Sequence, residues 1–147
     1  MKQIKITMLL ITASIVLCGC PNNDDGHRYI TFVNKSEREI ACQKFCISGH
    51  VTNEDMLFQC SMPAVGISSD SSYNFRSLGY SGWEAEFTTG GLSYAQFLVM
   101  DAELYDKYIK PPNCDTIRKY VPILHRYQLK LEDLQRMNWT VVYPPEE

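Results

Sequence analysis

The chain has 147 residues, 45% of them hydrophobic, with 14 basic and 17 acidic side chains and a formal charge of −3. That length fits one ordinary domain with a real hydrophobic core. The acidic balance, with no long basic run, argues against a nucleic-acid surface.

The first elements are Lys2 and Lys5, then a nearly unbroken apolar run from Ile6 to Leu17, closed by Cys18-Gly19-Cys20. A basic start, an apolar stretch and a small residue before a processing point form the plan of a secretory signal. A membrane-spanning helix needs about 20 apolar residues, and this run is shorter. The closing Leu17-Cys18-Gly19-Cys20 resembles the lipobox of bacterial lipoproteins. In that family a diacylglycerol is attached to the cysteine sulfur and a peptidase cuts just before it. The resemblance implies lipidation of Cys20, with Gly19 leaving the scissile bond accessible. Cys18 in that role would put bulky Leu17 where a small residue belongs. The expected organisation is a signal peptide over 1–19, a lipidated flexible tether over 20–28 and one globular domain over 29–147. Losing Lys2 and Lys5 leaves 12 basic against 17 acidic residues, a mature charge near −5.

Beyond Cys20, Pro21 to Gly26 is polar and rich in turn formers, as a leash should be. Asp24 and Asp25 resemble, in a thin version, the acidic surface-export signal of some Bacteroides-type lipoproteins. His27 is expected to be solvated at the end of the leash. Tyr29 to Val33, aromatic and β-branched, predicts a strand, and Glu39 to Ile47 its return. A short strand is expected over Met56 to Cys60, with further extended pieces at Val65 to Ile67 and Ser72 to Ser77. The alternation in Trp83-Glu84-Ala85-Glu86-Phe87 predicts a half-buried strand turning at Gly90-Gly91. Leu92 to Met100, nearly all apolar, predicts a central strand covered on both faces. Asp101 is placed to cap a short helix, which Pro111-Pro112 ends. Asp115 is placed to cap a second, Thr116 to Tyr120. Ile123 to Leu131 contains a strand, Leu131, Leu134 and Met137 recur at helical spacing, and Trp139 to Tyr143 is a final strand. These elements predict a mainly β fold, sandwich-like antiparallel sheets with two or three short helices, an α+β arrangement being the alternative.

Four cysteines stay with the mature domain: Cys42, Cys46, Cys60 and Cys114. An even number in an exported domain reads as two disulfides. On an extended strand Cys42 and Cys46 are about 13 Å apart and cannot pair. A hairpin turning near Asn53 would set Cys46 opposite Cys60 and leave Cys42 for Cys114. The spacing of three between Cys42 and Cys46 suits neither a zinc site nor a thioredoxin-like motif.

The stretch Arg126 to Pro144, containing Leu131-Glu132-Asp133-Leu134-Gln135-Arg136-Met137-Asn138-Trp139-Thr140-Val141-Val142-Tyr143, resembles the C-terminal signature of a large family of small Bacteroides-type lipoproteins. Leu98 to Asp101, Asp115 to Arg118 and Trp83-Glu84 resemble the middle section of that family. The likeness covers roughly 83–144 and omits the cysteine-bearing region 40–65. Lys130 stands where the family often has Ser or Thr, so a side-chain N-cap is lost there. The family carries no established activity; the resemblance implies a location at the cell envelope, anchored to the outer membrane. Asp115-Thr116-Ile117 also resembles the O-glycosylation acceptor of such bacteria, which makes Thr116 a candidate modification site.

Constellations for chemistry are thin. Glu84 and Glu86 share a side of the expected strand, and paired carboxylates can serve glycoside hydrolysis, although a solvated strand face explains them as well. His50 and His125 stand apart from any triad or ligand cluster. The sequence implies no catalytic, cofactor or metal residues, and no cofactor. The expected role is a non-catalytic, lipid-anchored envelope protein with a structural or partner-interaction function, its partner a protein or a glycan and not nucleic acid. A glycan-binding module beside surface polysaccharide machinery is the alternative, and a small hydrolase is third.

Overall fold

The structure, a computed structural model, describes residues 26–50, 52, 57–79, 81–110 and 113–145. The signal segment, Cys20, Asp24, Asp25 and part of the expected Met56–Cys60 strand lie outside the described residues. The domain is mainly β. Its strands are β1 (Tyr29–Asn34), β2 (Ile40–Ser48), β3 (Val65–Ile67), β4 (Ser71–Arg76), β5 (Leu92–Asp101), β6 (Ile123–Leu129) and β7 (Thr140–Tyr143). Its helices are α1 (Trp83–Thr88), α2 (Ala102–Ile109), α3 (Cys114–Tyr120) and α4 (Leu131–Arg136). One sheet has the order β4-β1-β7 and the other β3-β2-β5-β6. All pairings are antiparallel except β1 with β7, which run parallel, Thr31 opposite Thr140 and Asn34 opposite Tyr143.

The main core lies between the sheets. Ile30 and Phe32 from β1, Phe75 from β4 and Val141 from β7 meet Cys42, Phe97, Val99 and Tyr127 from the larger sheet. Trp83 of α1, Leu134 of α4 and Trp139 belong to the same cluster. The other face of the larger sheet is covered too: Ala41 and Met100 pack with Phe58, Tyr105 of α2 and Ile117 of α3. This explains the apolar run in β5. Its Phe97 and Val99 serve the inter-sheet core, while Leu98 and Met100 serve the helical side. Each large aliphatic or aromatic side chain buried in this way contributes about 1.5–3 kcal/mol.

Several elements differ from expectation. Trp83 to Phe87 is helical, not a strand. In so short a stretch an alternating pattern also leaves Trp83 and Phe87 one turn apart, and both reach the main core. Gly82 at φ 85 enters the helix and Gly91 at φ 73 leaves it. Leu57 to Cys60 is a loop. Asn113, not Asp115, caps α3, its Oδ1 accepting from the Asp115 and Thr116 N–H groups. At α4 the Lys130 side chain makes no cap; Asp133 reaches back to the Lys130 N–H at 3.1 Å instead. Asp101 does cap α2, accepting from the Leu104 N–H.

The disulfide expectation needs correction. Cys60 is bonded to Cys114, with Cα atoms 5.6 Å apart, and Cys42 and Cys46 are free thiols. The reason is the alternation of β2. Cys42 and Cys46 point into the inter-sheet space, whereas Cys60 and Cys114 lie on the helical side. Neither Cys46–Cys60 nor Cys42–Cys114 can form without a bond through the sheet.

Candidate functional site

The N-terminal segment enters the fold at a junction that touches β4, α1 and Trp139. The β1–β4 ladder extends one step beyond Tyr29 and Arg76 through Ser77 N–H to Arg28 O, 2.9 Å. One residue earlier, the His27 carbonyl accepts from the Trp83 N–H at 2.8 Å and so holds the start of α1. Glu84, in the first turn of α1, clasps His27 from the side. Its Oε2 accepts from the His27 N–H at 2.7 Å and its Oε1 lies 2.5 Å from Nδ1. The imidazole stacks on the Trp139 indole, ring centroids 4.4 Å apart and 15° between planes. Gly26 presses on Gly82: a Cβ built at Gly82 would meet the Gly26 carbonyl carbon at 2.9 Å, and φ there is 85. His27 is exposed, as expected, but its backbone and ring are tied to α1 and to Trp139. Gly26 and His27 are thus packed on the folded unit.

Burial pushes the Glu84 carboxyl up, but the hydrogen bonds from the His27 ring, its own N–H and the His27 N–H, with the charge on His27, outweigh it and hold it below its ordinary 4.5. A carboxylate with a lowered folded pKa adds stability above its unfolded pKa and loses it as pH falls through the folded value. Glu84→Gln is therefore expected to flatten the stability profile below about pH 4.5, measured by urea unfolding along a pH series. Parallel profiles for the two proteins would contradict the clasp.

Beside the junction, the half-buried Lys44 of β2 lays its ammonium 4.9 Å from the Trp83 ring and donates to Arg76 O at 3.0 Å. Desolvation lowers its pKa, against the pull of Cys46 and Glu86. Cys46, two residues on along the same face, has its thiol pKa raised by burial, as does Cys42. Neither is poised as a thiolate nucleophile. Glu86 accepts from the Gly79 N–H at 2.5 Å and lines a cleft of about 180 Å³ with Gly79, Ser81, Gly82, Ala85, Thr89 and Gly90. That lining offers hydrogen-bonding groups but no paired nucleophile and base.

The other sequence candidates disperse. Glu84 and Glu86 diverge on α1, one to His27 and one to Gly79, so they form no catalytic pair. Asp101 is a cap with an ion pair to Arg38 at 3.2 Å. His50 is exposed, and His125 packs its ring 4.4 Å from Tyr127. Thr116 is half-buried in the first turn of α3. Tyr108 and Tyr120 stack on each other at 5.2 Å with lysine ammoniums 5.3 and 5.1 Å from the rings. Among the described residues no group of three or more His, Cys, Asp or Glu side chains is placed to hold a metal ion.

Sequence reasoning missed two residues. One is His27, hidden in a polar stretch. The other is Gln43, fully buried, whose Nε2 donates to Gln59 O and Met62 O and whose Oε1 accepts from the Gln59 N–H. It pins the 57–64 loop to the helical face of β2. A glutamine on the same strand face as Ala41 and Phe45 was the available signal. Comparison with protein-family models, curated proteins and solved structures found no match.

Proposed function

We propose that this chain is a lipid-anchored envelope protein, held to the outer membrane through Cys20, whose β-rich domain has a non-catalytic structural or partner-interaction role. The observation that carries the reading is the apolar run closed by Leu17-Cys18-Gly19-Cys20, followed six residues on by Gly26, which is packed against Gly82. Several acyl chains at about 0.8 kcal/mol per buried methylene give stable anchoring where one is marginal. Glycosylation at Thr116 belongs to the same proposal.

The glycan-binding alternative calls for a contiguous aromatic platform. Among the described residues the exposed rings are Tyr29, Tyr73 and Tyr120. By register the first two point to opposite faces of the three-stranded sheet, and the third lies on the helical side. These three rings form no shared platform, which supports the anchored structural or partner-interaction reading over the glycan-binding one.

The test is Cys20→Ala. The variant is expected to take up no metabolic acyl label and to remain unprocessed or mislocalised. Acyl label at full yield on that variant would overturn the lipid-anchor assignment.

A further inference from the structure

We infer that the end of the domain carrying Tyr29, Arg76 and Leu78, beside the tether exit at His27, is a lipid-facing surface that rests on anionic headgroups. The inference deepens the lipid-anchor reading and rests on it. Its starting point is reach. Six residue steps separate Cys20 from Gly26, and a fully extended chain covers at most about 3.6 Å per step, so the lipid lies within about 20 Å of Gly26. A compact domain of this size has a radius of gyration near 13 Å and a diameter of about 35 Å. The tether is too short to wrap around the domain, so the end it leaves from is the end turned to the bilayer.

That end has the side chains for the task. Leu78, 67% exposed, is the most exposed large apolar side chain among the described residues, and Tyr29 is 49% exposed. A lone exposed leucine needs no explanation, but this one is held out by fixed backbone on both sides. Ser77 before it is buried, its N–H donating to Arg28 O and its hydroxyl to Gly79 O. Gly79 after it donates to Glu86. Arg76 is exposed and directly opposite Tyr29 in the ladder. An apolar wedge flanked by a guanidinium and a tyrosine suits the headgroup layer, where cations meet phosphates and amphipathic rings settle. The nearby carboxylates Glu84 and Glu86 are engaged by His27 and Gly79. The opposite end of β1 has another character: Glu37 and Glu39 in the turn after it are exposed, and Asp101, Glu103 and Asp106 line an open cleft there with Arg38. Anionic lipid would repel that end.

The test uses full-length lipidated protein carrying Leu78→Trp or Glu37→Trp, in vesicles of phosphatidylglycerol and phosphatidylcholine with brominated acyl chains. The buried Trp83 and Trp139 supply the same background in both and in the parent. Emission from position 78 is expected to be quenched several-fold more than that from position 37, less so in pure phosphatidylcholine and at high salt. Equal quenching at the two positions, or none above the parent, overturns the surface. Acyl label on Cys20 is read in the same samples. Labelled protein without differential quenching overturns the surface alone, unlabelled protein with it overturns the anchor alone, and unlabelled protein without it overturns both.

Discussion

Replacing Trp139 with alanine is expected to cost about 3–5 kcal/mol, a large share of the roughly 5–15 kcal/mol that holds an ordinary domain together. Trp139 is 5% exposed and belongs to the main core with Leu134 and Val141. It is not the first residue of the last strand, as the sequence suggested. It ends α4. The Asn138 N–H bonds to Gln135 O and the Trp139 N–H to Leu134 O, the two bonds of a Schellman turn with Asn138 in the left-handed position. Trp139 itself has φ 58, which a bulky residue adopts only when its surroundings hold it there. Burial of the indole and the stack with His27 supply that hold. Glycine at this position loses the same side chain but relaxes the backbone, so Trp139→Gly should be less damaging than alanine by about 1 kcal/mol. Urea midpoints of the three proteins check both statements. An alanine variant that unfolds at the parental midpoint would show that the indole is ornamental to the core.

Removing the Cys60–Cys114 bond, as a double serine variant, is expected to cost about 4 kcal/mol in the chain-entropy account, since it closes a loop with a sequence separation of 54. The loss is read as the difference in unfolding midpoint between the variant and the oxidised parent. A shift below about 1 kcal/mol would place the stabilisation elsewhere. The native loop has other fastenings: Phe58 packs on Tyr105 with ring centroids 5.7 Å apart, Arg118 Nε donates to Phe58 O at 3.1 Å, and Gln43 holds Gln59. These should keep the variant folded at room temperature. Alkylation of the denatured, unreduced domain should label Cys42 and Cys46 and spare the bonded pair.

The strands were legible where their chemistry was local. The aromatic and β-branched residues of Tyr29 to Val33 announced a strand, and the doubly apolar run of β5 an inner one. What failed was context. Trp83 to Phe87 alternates, yet so short a segment satisfies both periods, and as a helix it sets Trp83 and Phe87 one turn apart against the main core. The disulfide partners could not be read because pairing depends on which face of β2 each cysteine occupies, and the loop that carries Cys60 folds over the helical side. The junction was hidden for a similar reason. His27 gains its partners, Glu84 and Trp139, from stretches far along the chain, and no local pattern marks it. The paired carboxylates that suggested chemistry were resolved by contacts of the same kind, Glu84 accepting from His27 and Glu86 from Gly79.

The parallel pairing of β1 with β7 joins the first and last described strands, Thr31 meeting Thr140. Contacts of such sequence separation are slow to close, because the entropy of the intervening loop must be met before they contribute. The three-stranded sheet therefore cannot be completed until the last strand has been made and delivered. Until then Tyr29 to Val33, rich in β-forming side chains, has an open edge on the side that β7 will occupy, the kind of edge that pairs with neighbouring chains. In this fold the final residues act as a late seal on the first strand, and any delay in their arrival lengthens the time during which the chain is prone to self-association.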